Sequence, residues 1–489
     1  MSCYWYCVLY RVKNKDRFDN NEWKELSCLT TPRPANAIVL PAYQQNKTNM
    51  SSPTEMRQGL AAPVDQAERI IILDSLRGFA ILGILLMNIP GFAMPNSGGD
   101  PSILNEFGTI NFKVWHLVEW FPEGTQRAIF SMLFGAGIIL FINGKEKRTG
   151  GMLPADYFFR RQLWLMVFSL IDVFILLWFG DILLDYACLG MLMFAFRNLS
   201  PKRLLIGASL CFLFSLAREN ADLYRDKVMI YKGEIAAATD TTKTKLNDTQ
   251  KEELRAMLDF KERSTHENKL NRMEKVIRKT TGSYGELYQQ RTDIYINTLV
   301  RYLFFGVWDV LLFMFLGMAF FKMGILTGQA PVKTYWWMCI VGLGVGLLLS
   351  YWRLQPMIDT RFNWFEYTKK SSFHFYELSR TLRSIGILGL LMLLYKSGFF
   401  KWLFALMRPV GQMAFTNYLG QSLLCGLYFY GVGFGMFGKL ERHEIYYVVL
   451  AIWAIEIIGS HVWLRYFRFG PLEWCWRSLT YWKKQPLRE

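Results

Sequence analysis

Long apolar segments separated by short charged ones recur along this chain from residue 69 onward. The first covers residues 69–94, and as a helix it would be about 37 Å long, more than the roughly 30 Å hydrocarbon core of a bilayer. Of the 489 residues, 52% are hydrophobic, and these residues collect in blocks instead of alternating finely with polar ones. This pattern predicts an all-α, polytopic membrane protein with about ten transmembrane helices embedded in the lipid bilayer.

The apolar blocks and the charges between them predict the topology. With ten spans both termini lie on one side, and four of the basic loops lie on that same side, so both termini are predicted to be cytosolic. The basic loop at 353–380 is the one conflict. The net charge is +16, and the basic residues responsible for it cluster beside the spans. They therefore indicate the orientation of the chain in the membrane and not a nucleic-acid partner. We place the spans near 69–94, 128–142, 162–179, 182–196, 204–217, 299–321, 334–352, 381–395, 409–430 and 445–464.

The chain divides into regions of different composition. Residues 218–295 carry 16 Lys and Arg against 14 Asp and Glu, which predicts a solvated helical insertion on the extracytoplasmic side. The N-terminal tail is polar and proline-rich, and translation could begin within it at Met50 or Met56. We expect a disordered cytosolic tail at 1–67, the first five helices at 68–217, the insertion at 218–295, helices six to ten with an interfacial segment at 296–480, and a tail at 481–489.

The first predicted helix carries an acid, a base and an amide. Asp74 and Arg77 are three residues apart and share one face near the cytosolic end, with Asn88 about two-thirds of the way across. Arg77 could pair with Asp74 or bind a phosphate through its two-pronged guanidinium. The alternative is an interfacial ion pair that only anchors the helix. Ionisable residues inside a membrane are costly, which makes this helix a candidate site.

Carboxylates form the second candidate group. Asp181 and Asp185, four residues apart, share a face at the start of the fourth predicted helix, where Asp181 could also act as the helix cap. Asp172 lies within the third predicted span, where capping cannot explain it. Asn417 and Tyr418 are polar residues inside the ninth span and predict helix-to-helix hydrogen bonds or a cavity lining.

Histidines and cysteines give weaker signals. His116 and His374 lie in predicted outer loops and could act as a general base, although each is more commonly a loop or packed residue. Paired metal-ligand spacings are lacking in the sequence, so no metal is predicted. The eight cysteines have no close C-x-x-C spacing, which supports neither a disulfide framework nor a zinc site.

Several short motifs follow one another along the chain. They are Leu73-Asp74 with Arg77-Gly78, Phe130 to Gly137, Gly180-Asp181 with Tyr186-Ala187, Gly282-Ser283-Tyr284 with Arg291, Thr416-Asn417-Tyr418, and Gly470-Pro471-Leu472-Glu473-Trp474 with Arg477. In this order they resemble the DUF418 or YeiB family of bacterial inner-membrane proteins of unknown function. Asp172 stands where family members commonly have histidine, and Gln412 where they commonly have arginine. The family also resembles, more distantly, the transmembrane acyltransferase superfamily that includes heparan glucosaminide acetyltransferase.

The superfamily resemblance implies that an acyl group passes from cytosolic acyl-CoA, as co-substrate, to a sugar or lipid acceptor on the far side. It also implies a catalytic histidine shortly after the first helix, where His116 is the nearest. On this hypothesis the catalytic candidates are Asp74, Arg77, His116 and Asp172, with Arg77 binding acyl-CoA, and the substrate-binding candidates are Asn88, Asp181, Asp185, Asn417 and Tyr418.

Two other classes of function stay open from the sequence. Intramembrane carboxylates could serve a small-solute transporter or channel, although no matching broken helices are evident in two halves of the chain. The 218–295 insertion could bind another envelope protein, which would make the chain a non-catalytic scaffold. The acyl chain, the acceptor and the oligomeric state are not specified by the sequence.

Overall fold

The protein is helical throughout the part of the chain that its computed structural model describes, residues 71–149, 153–239 and 245–488, and no strand occurs there. The predicted tail at 1–67 lies outside these residues. The helices are α1 Ile71–Ala93, α2 Ile110–Trp120, α3 Thr125–Thr149, α4 Leu153–Phe174, α5 Leu183–Met193, α6 Pro201–Ala238, α7 Asp248–Arg263, α8 His266–Thr280, α9 Tyr284–Phe305, α10 Val307–Lys322, α11 Val332–Asp359, α12 Trp364–Lys370, α13 Tyr376–Ser397, α14 Lys401–Gln412, α15 Ala414–Phe429, α16 Arg442–Tyr466 and α17 Pro471–Tyr481.

Six helical stretches among the described residues are long and apolar enough to cross a membrane. This confirms the all-α, polytopic membrane class, while the count of ten spans stays a prediction. The surface of these stretches carries many exposed leucine, isoleucine, valine and tryptophan side chains, as a lipid-facing surface requires. The stretches are Ile71–Ala93, Ile110–Glu146, Pro201–Ala238, Val332–Asp359, Tyr376–Ser397 and Arg442–Tyr466.

Glycines bring α1 and α14 into backbone contact. A Cβ atom at Gly78 would lie 2.2 Å from the carbonyl oxygen of Met407, and one at Gly411 would lie 1.7 Å from the carbonyl oxygen of Asp74. Neither position can hold a larger residue without separating the helices. Helices in lipid have little hydrophobic driving force to associate, and small residues at a crossing let their backbones approach closely enough for van der Waals packing to hold them together. Gly78 therefore serves the packing of α1 against α14.

The same arrangement joins α3 to α10. A Cβ at Gly135 would lie 2.3 Å from the carbonyl oxygen of Met314, and one at Gly317 would lie 1.9 Å from that of Met132. Helix α1 of the first crossing and helix α3 of the second are neighbours, and most of the residues between these two helices are buried. Together they form the rigid centre of the bundle.

Helix α6 extends well beyond the predicted fifth span at 204–217. It runs without a break for 38 residues, from Pro201 to Ala238, a length of about 57 Å. The charges that begin at Arg218 end the apolar stretch, but alanine, leucine, glutamate and lysine continue to favour helix. The insertion is therefore joined to the membrane part by a continuous helix.

Buried ion pairs hold the loop that contains Asp100 and Glu106 against the insertion on one side and against α16 on the other. Lys269 of α8 donates to Asp100 Oδ2 over 2.7 Å and to the carbonyl oxygen of Phe362 over 2.6 Å. Arg442, at the start of α16, donates to Glu106 Oε2 over 2.7 Å. Burial raises the pKa of Glu106, an effect that the adjacent Arg442 opposes. Because both pairs are desolvated, loss of one partner would leave an uncompensated charge.

Two predicted spans are interrupted. The one at 299–321 breaks at Gly306, between α9 and α10, and the one at 409–430 breaks at Met413, between α14 and α15. The second break follows Pro409, which has no N–H to donate within the helix. The backbone N–H groups at the start of α15 are satisfied by a carboxylate of α17, which is part of the site described next.

Candidate functional site

A cavity of about 250 Å³ lies where α1, α3, α4, α5, α14, α15 and α17 meet. Most of its wall is aromatic and aliphatic, contributed chiefly by phenylalanines of α3, α4 and α15. Charged and polar groups converge on it from five of the helices. These polar lining residues are Asp74, Arg77, Arg161, Gln162, Gln412, Tyr418, Glu473 and Arg477.

Asp74 and Arg77 line the cavity as an ion pair. Arg77 Nη1 donates to Asp74 Oδ1 over 2.8 Å, which confirms the predicted pairing. The other guanidinium nitrogen points toward α3, where Gly137 leaves room for it: a Cβ there would lie 3.7 Å from Nη2. Asp74 Oδ2 is buried and has no hydrogen-bond partner among the described residues. The pair therefore faces a protein cavity, unlike an anchor that reaches lipid headgroups.

Arg161 and Arg477 add two more guanidinium groups, of which the sequence analysis named only Arg477, as part of a family motif and not as a site residue. The Arg161 guanidinium stacks on the ring of Trp476 at 3.8 Å, and Trp476 Nε1 donates to the carbonyl oxygen of Arg161 over 2.9 Å. No hydrogen bond or ion pair joins the Arg161 side chain to another described residue. Arg477, one residue after Trp476, lies over the ring of Phe469 at 4.5 Å. Three arginines thus line one largely apolar cavity.

Glu473 lines the cavity but its oxygens are already used. Oε1 accepts from the backbone N–H groups of Phe415 and Thr416, at 2.8 and 3.1 Å, and Oε2 accepts from the Thr416 hydroxyl at 2.5 Å. Glu473 therefore caps the start of α15 from a neighbouring helix. Its role is to fix α17 against α15.

Tyr418 connects the cavity to a buried carboxylate. Its hydroxyl donates to Asp181 Oδ1 over 3.2 Å and accepts from the backbone N–H of Ile182 over 3.1 Å. Asp181 Oδ2 accepts from the Ser169 hydroxyl and from the backbone N–H groups of Leu183 and Leu184. The predicted cap at the start of α5 is confirmed, and the same carboxylate is reached from the cavity through Tyr418.

Asp172 lies about one turn beyond Ser169 on α4 and is fully buried. Neither of its carboxylate oxygens forms a hydrogen bond of normal geometry within the described ranges, although the side chains of Asp181 and Ser422 lie close to it. Asp185 follows Asp181 by one turn on α5 and is half-buried. From the cavity toward the far end of α4, polar groups therefore succeed one another as Tyr418, Asp181 and Asp172.

The remaining amide candidates lie apart from the cavity. Asn417 Nδ2 donates to the carbonyl oxygen of Val410 and to the Ser460 hydroxyl, each over 3.1 Å. This confirms the predicted helix-to-helix hydrogen bond, here between α15 and α16. Asn88 is half-buried on the second half of α1.

No histidine is among the described residues that line the cavity. His116 lies on α2, where it packs against Phe112 and Trp115. His374 stacks on Tyr367 in the loop before α13. Of the four predicted catalytic residues, the structure brings Asp74 and Arg77 together at the cavity but not His116 or Asp172; the role of each stays a prediction.

Fold and cavity define a multi-pass helical membrane protein with an arginine-lined binding cavity among its helices. Residues 320–483 match the model of the family described as "Protein of unknown function (DUF418)". The chain is 28% identical to the uncharacterized protein YxaH of Bacillus subtilis over 450 residues, which cover 86% of this chain and 96% of that one. It is also 28% identical to the uncharacterized protein YeiB of Escherichia coli over 419 residues, 84% and 96% of the two chains.

The family-model match over residues 320–483 and these two relatives support the resemblance to the DUF418 family that the motifs indicate. No solved structure shows a significant match to the chain. The relatives matched here are uncharacterized by name, so the site itself is the basis for assigning a function.

Proposed function

We propose that this protein is an acyltransferase of the bacterial inner membrane that takes an acyl group from a cytosolic acyl-CoA and delivers it to an acceptor on the far side. The observation that carries the proposal is the convergence of Arg77, Arg161 and Arg477 on a cavity whose other walls are mostly apolar. Such a lining suits a ligand with an anionic head and an apolar tail.

The donor's phosphates would bind the arginines. A guanidinium contacts a phosphate through two parallel hydrogen bonds, and Arg161 is held in place by stacking on Trp476. Asp74 would orient Arg77 through their 2.8 Å ion pair. The phenylalanine wall then receives the acyl chain. With the N-terminus cytosolic, as the basic loops predict, the start of α1 lies on the side where acyl-CoA is made.

The chemistry needs a group that removes a proton from the acceptor. The acceptor hydroxyl oxygen would attack the thioester carbonyl carbon, the C–S bond would break, and the CoA thiolate would leave. We assign the acceptor's proton to Asp181 through the Tyr418 hydroxyl, because Asp74 is held in its ion pair with Arg77 and Glu473 is held by hydrogen bonds to the start of α15. The proton then passes to the leaving thiolate, which balances the reaction.

Donor binding is tested with purified protein in nanodiscs by measuring the affinity for acetyl-CoA and palmitoyl-CoA. We expect Arg161→Ala to weaken binding at least about tenfold, because a charge-assisted hydrogen bond contributes about 1.5–3 kcal/mol. Arg160→Ala is the matched control, since the adjacent Arg160 pairs with Asp156 and does not line the cavity. Absence of binding by the wild type, or equal loss in both variants, would refute the proposal.

Proton-linked transport of a small anion is the second candidate. The observation in its favour is Asp172, a fully buried carboxylate that forms no hydrogen bond of normal geometry among the described residues. Intramembrane carboxylates of this kind serve as proton relays in transporters. Uptake into proteoliposomes that is abolished by Asp172→Asn, from a wild type that neither binds nor cleaves acyl-CoA, would favour this function.

A further inference from the structure

Arg291 on α9 is a buried cation that the cavity does not use. It is 3% exposed, and no carboxylate of the described residues lies close enough to form an ion pair with it. Its Nε and Nη2 atoms are buried and have no hydrogen-bond partner within the described part of the chain. Arginine stays charged in proteins, and burying a charged group is costly unless its donors have acceptors. The two unsatisfied donors of Arg291 therefore call for an acceptor from outside the described residues.

The two unsatisfied atoms lie on one edge of the guanidinium. Nε–H and one Nη2–H point in parallel, which is the geometry that contacts both oxygens of a carboxylate or phosphate. The faces of the group are covered instead by aromatic rings: the Phe179 and Tyr430 centroids lie 4.9 Å away and the Phe437 centroid 5.7 Å away. Because the rings cover its faces, an oxyanion would contact Arg291 through the buried donor edge.

Arg291 lies far from the arginine-lined cavity. Phe92, near the end of α1, stacks on Trp178 at 3.8 Å and lies 6.2 Å from Tyr430, whose ring covers Arg291. Arg77, which lines the cavity, is fifteen residues earlier on α1, or about 22 Å along the helix. The two arginines therefore mark opposite ends of the bundle.

The segment before Arg291 is held tightly. Gly431 N–H donates to the carbonyl oxygen of Thr280 over 3.0 Å, and a Cβ at Gly431 would lie 2.4 Å from the carbonyl of Thr281. The Tyr284 hydroxyl reaches the carbonyl oxygen of Ile175 at 3.3 Å. These contacts account for the Gly282-Ser283-Tyr284 motif, which fixes the start of α9. Arg291 is thus positioned by the fold and does not move as a free surface side chain.

We propose that Arg291, framed by Phe179, Tyr430 and Phe437, is a second ligand site, which binds the carboxylate or phosphate group of a small molecule or lipid at the end of the bundle opposite the cavity. The binding does not depend on acyl transfer. Under the proposed function the acceptor would carry this oxyanion.

The site is tested on the purified full-length protein by thermal unfolding, with tryptophan fluorescence as the signal. Sodium phosphate and sodium acetate are titrated at constant ionic strength in phosphatidylcholine nanodiscs. We expect at least one of these anions to raise the unfolding midpoint by about 2–4 °C, since a ligand that binds only the native state stabilises it. Arg291→Lys keeps the charge but loses the paired donors, so it should abolish the shift.

Arg278→Gln, which removes an exposed arginine of α8, is the control and should keep the wild-type response. Nanodiscs with added phosphatidylglycerol distinguish the source of the oxyanion. Stabilisation by phosphatidylglycerol alone identifies a lipid headgroup, whereas stabilisation by phosphate or acetate identifies a soluble ligand; either result supports the site if Arg291→Lys removes it. No stabilisation in any arm, or an unchanged response in Arg291→Lys, would overturn the proposal.

Discussion

The Tyr418 hydroxyl lies 3.2 Å from Asp181 Oδ1 and links the arginine-lined cavity to a carboxylate buried between α4 and α5. Replacing Tyr418 with phenylalanine keeps the ring and removes this link. If Tyr418 passes the acceptor's proton to Asp181, Tyr418→Phe should lower the rate of acyl transfer by about 100-fold, the lower range for general acid–base catalysis. Donor affinity should change little, because the arginines remain.

The control for Tyr418→Phe is Tyr335→Phe. Tyr335 is also fully buried and donates one hydrogen bond, over 2.8 Å to the carbonyl oxygen of Ile325, but it does not line the cavity. Each variant should lose about 1 kcal/mol of stability. A similar loss of transfer rate in both would attribute the effect to stability and not to proton transfer.

Asp309 holds two arginines in the bundle. It forms an ion pair with Arg127 and accepts from Arg380 over 2.9 Å, and Arg380 is 1% exposed. Asp309→Asn removes the shared negative charge and should destabilise the protein by about 3–5 kcal/mol, as removal of one partner from a buried pair does. Loss of folded protein in size-exclusion chromatography and a lower thermal unfolding midpoint are the measurements. Asp248→Asn, at an almost fully exposed side chain, should change stability by less than about 0.5 kcal/mol.

The ion pair of Lys269 with Asp100 should control the attachment of α8. Because both side chains are buried, Lys269→Met is expected to release the helices of the insertion from the loop at Asp100. Hydrogen exchange should then increase in α7 and α8 while that of α1 and α3 is unchanged. Lys275→Met, at an exposed position on the same helix, should leave exchange as in the wild type. Uniform faster exchange across the whole chain would contradict a local role.

His374 should make the protein less stable in mild acid. Burial lowers its pKa, and the nearby Arg353 lowers it further. An unfolded histidine, with a pKa of about 6.5, binds a proton that the buried imidazole resists. The stabilising contribution is therefore present above pH 6.5 and is lost as the pH falls through the lowered pKa of the folded state.

The measurement is the unfolding midpoint between pH 7.5 and 5. His374→Gln should flatten its decline on the acid side. His266→Gln is the matched control, since His266 is exposed at the start of α8. A wild-type decline that persists in His374→Gln would assign the acid sensitivity to other groups.

Hydropathy and local spacing account for much of this fold. They located the six helical stretches long and apolar enough to cross a membrane, the ion pair of Asp74 with Arg77, and the Asp181 cap, all of which depend on residues close in sequence. The continuation of α6 past Arg218 was not predicted, because charge marks the end of an apolar stretch and not the end of a helix.

The cavity could be predicted only in part. Arg161 and Arg477 are 316 residues apart, and neither was predicted to line a site. Their convergence depends on how α17 packs on α4, which neither segment encodes alone. A usable signal existed, because both arginines lie close in sequence to aromatic residues. By the same reasoning His116, chosen for its place after the first helix, lies on a helix that contributes no cavity residue.

At Gly78 and Gly411 the backbones of α1 and α14 are already in contact, so these two helices cannot move closer together on their side of the cavity. On the opposite side α17 is held by the side chains of Trp476 and Glu473, whose hydrogen bonds can break and re-form. The cavity is therefore stiff on one wall and compliant on the other. A ligand larger than the resting volume would be admitted by displacement of the C-terminal helix, and cross-linking α17 to α4 would limit the size of ligand that enters.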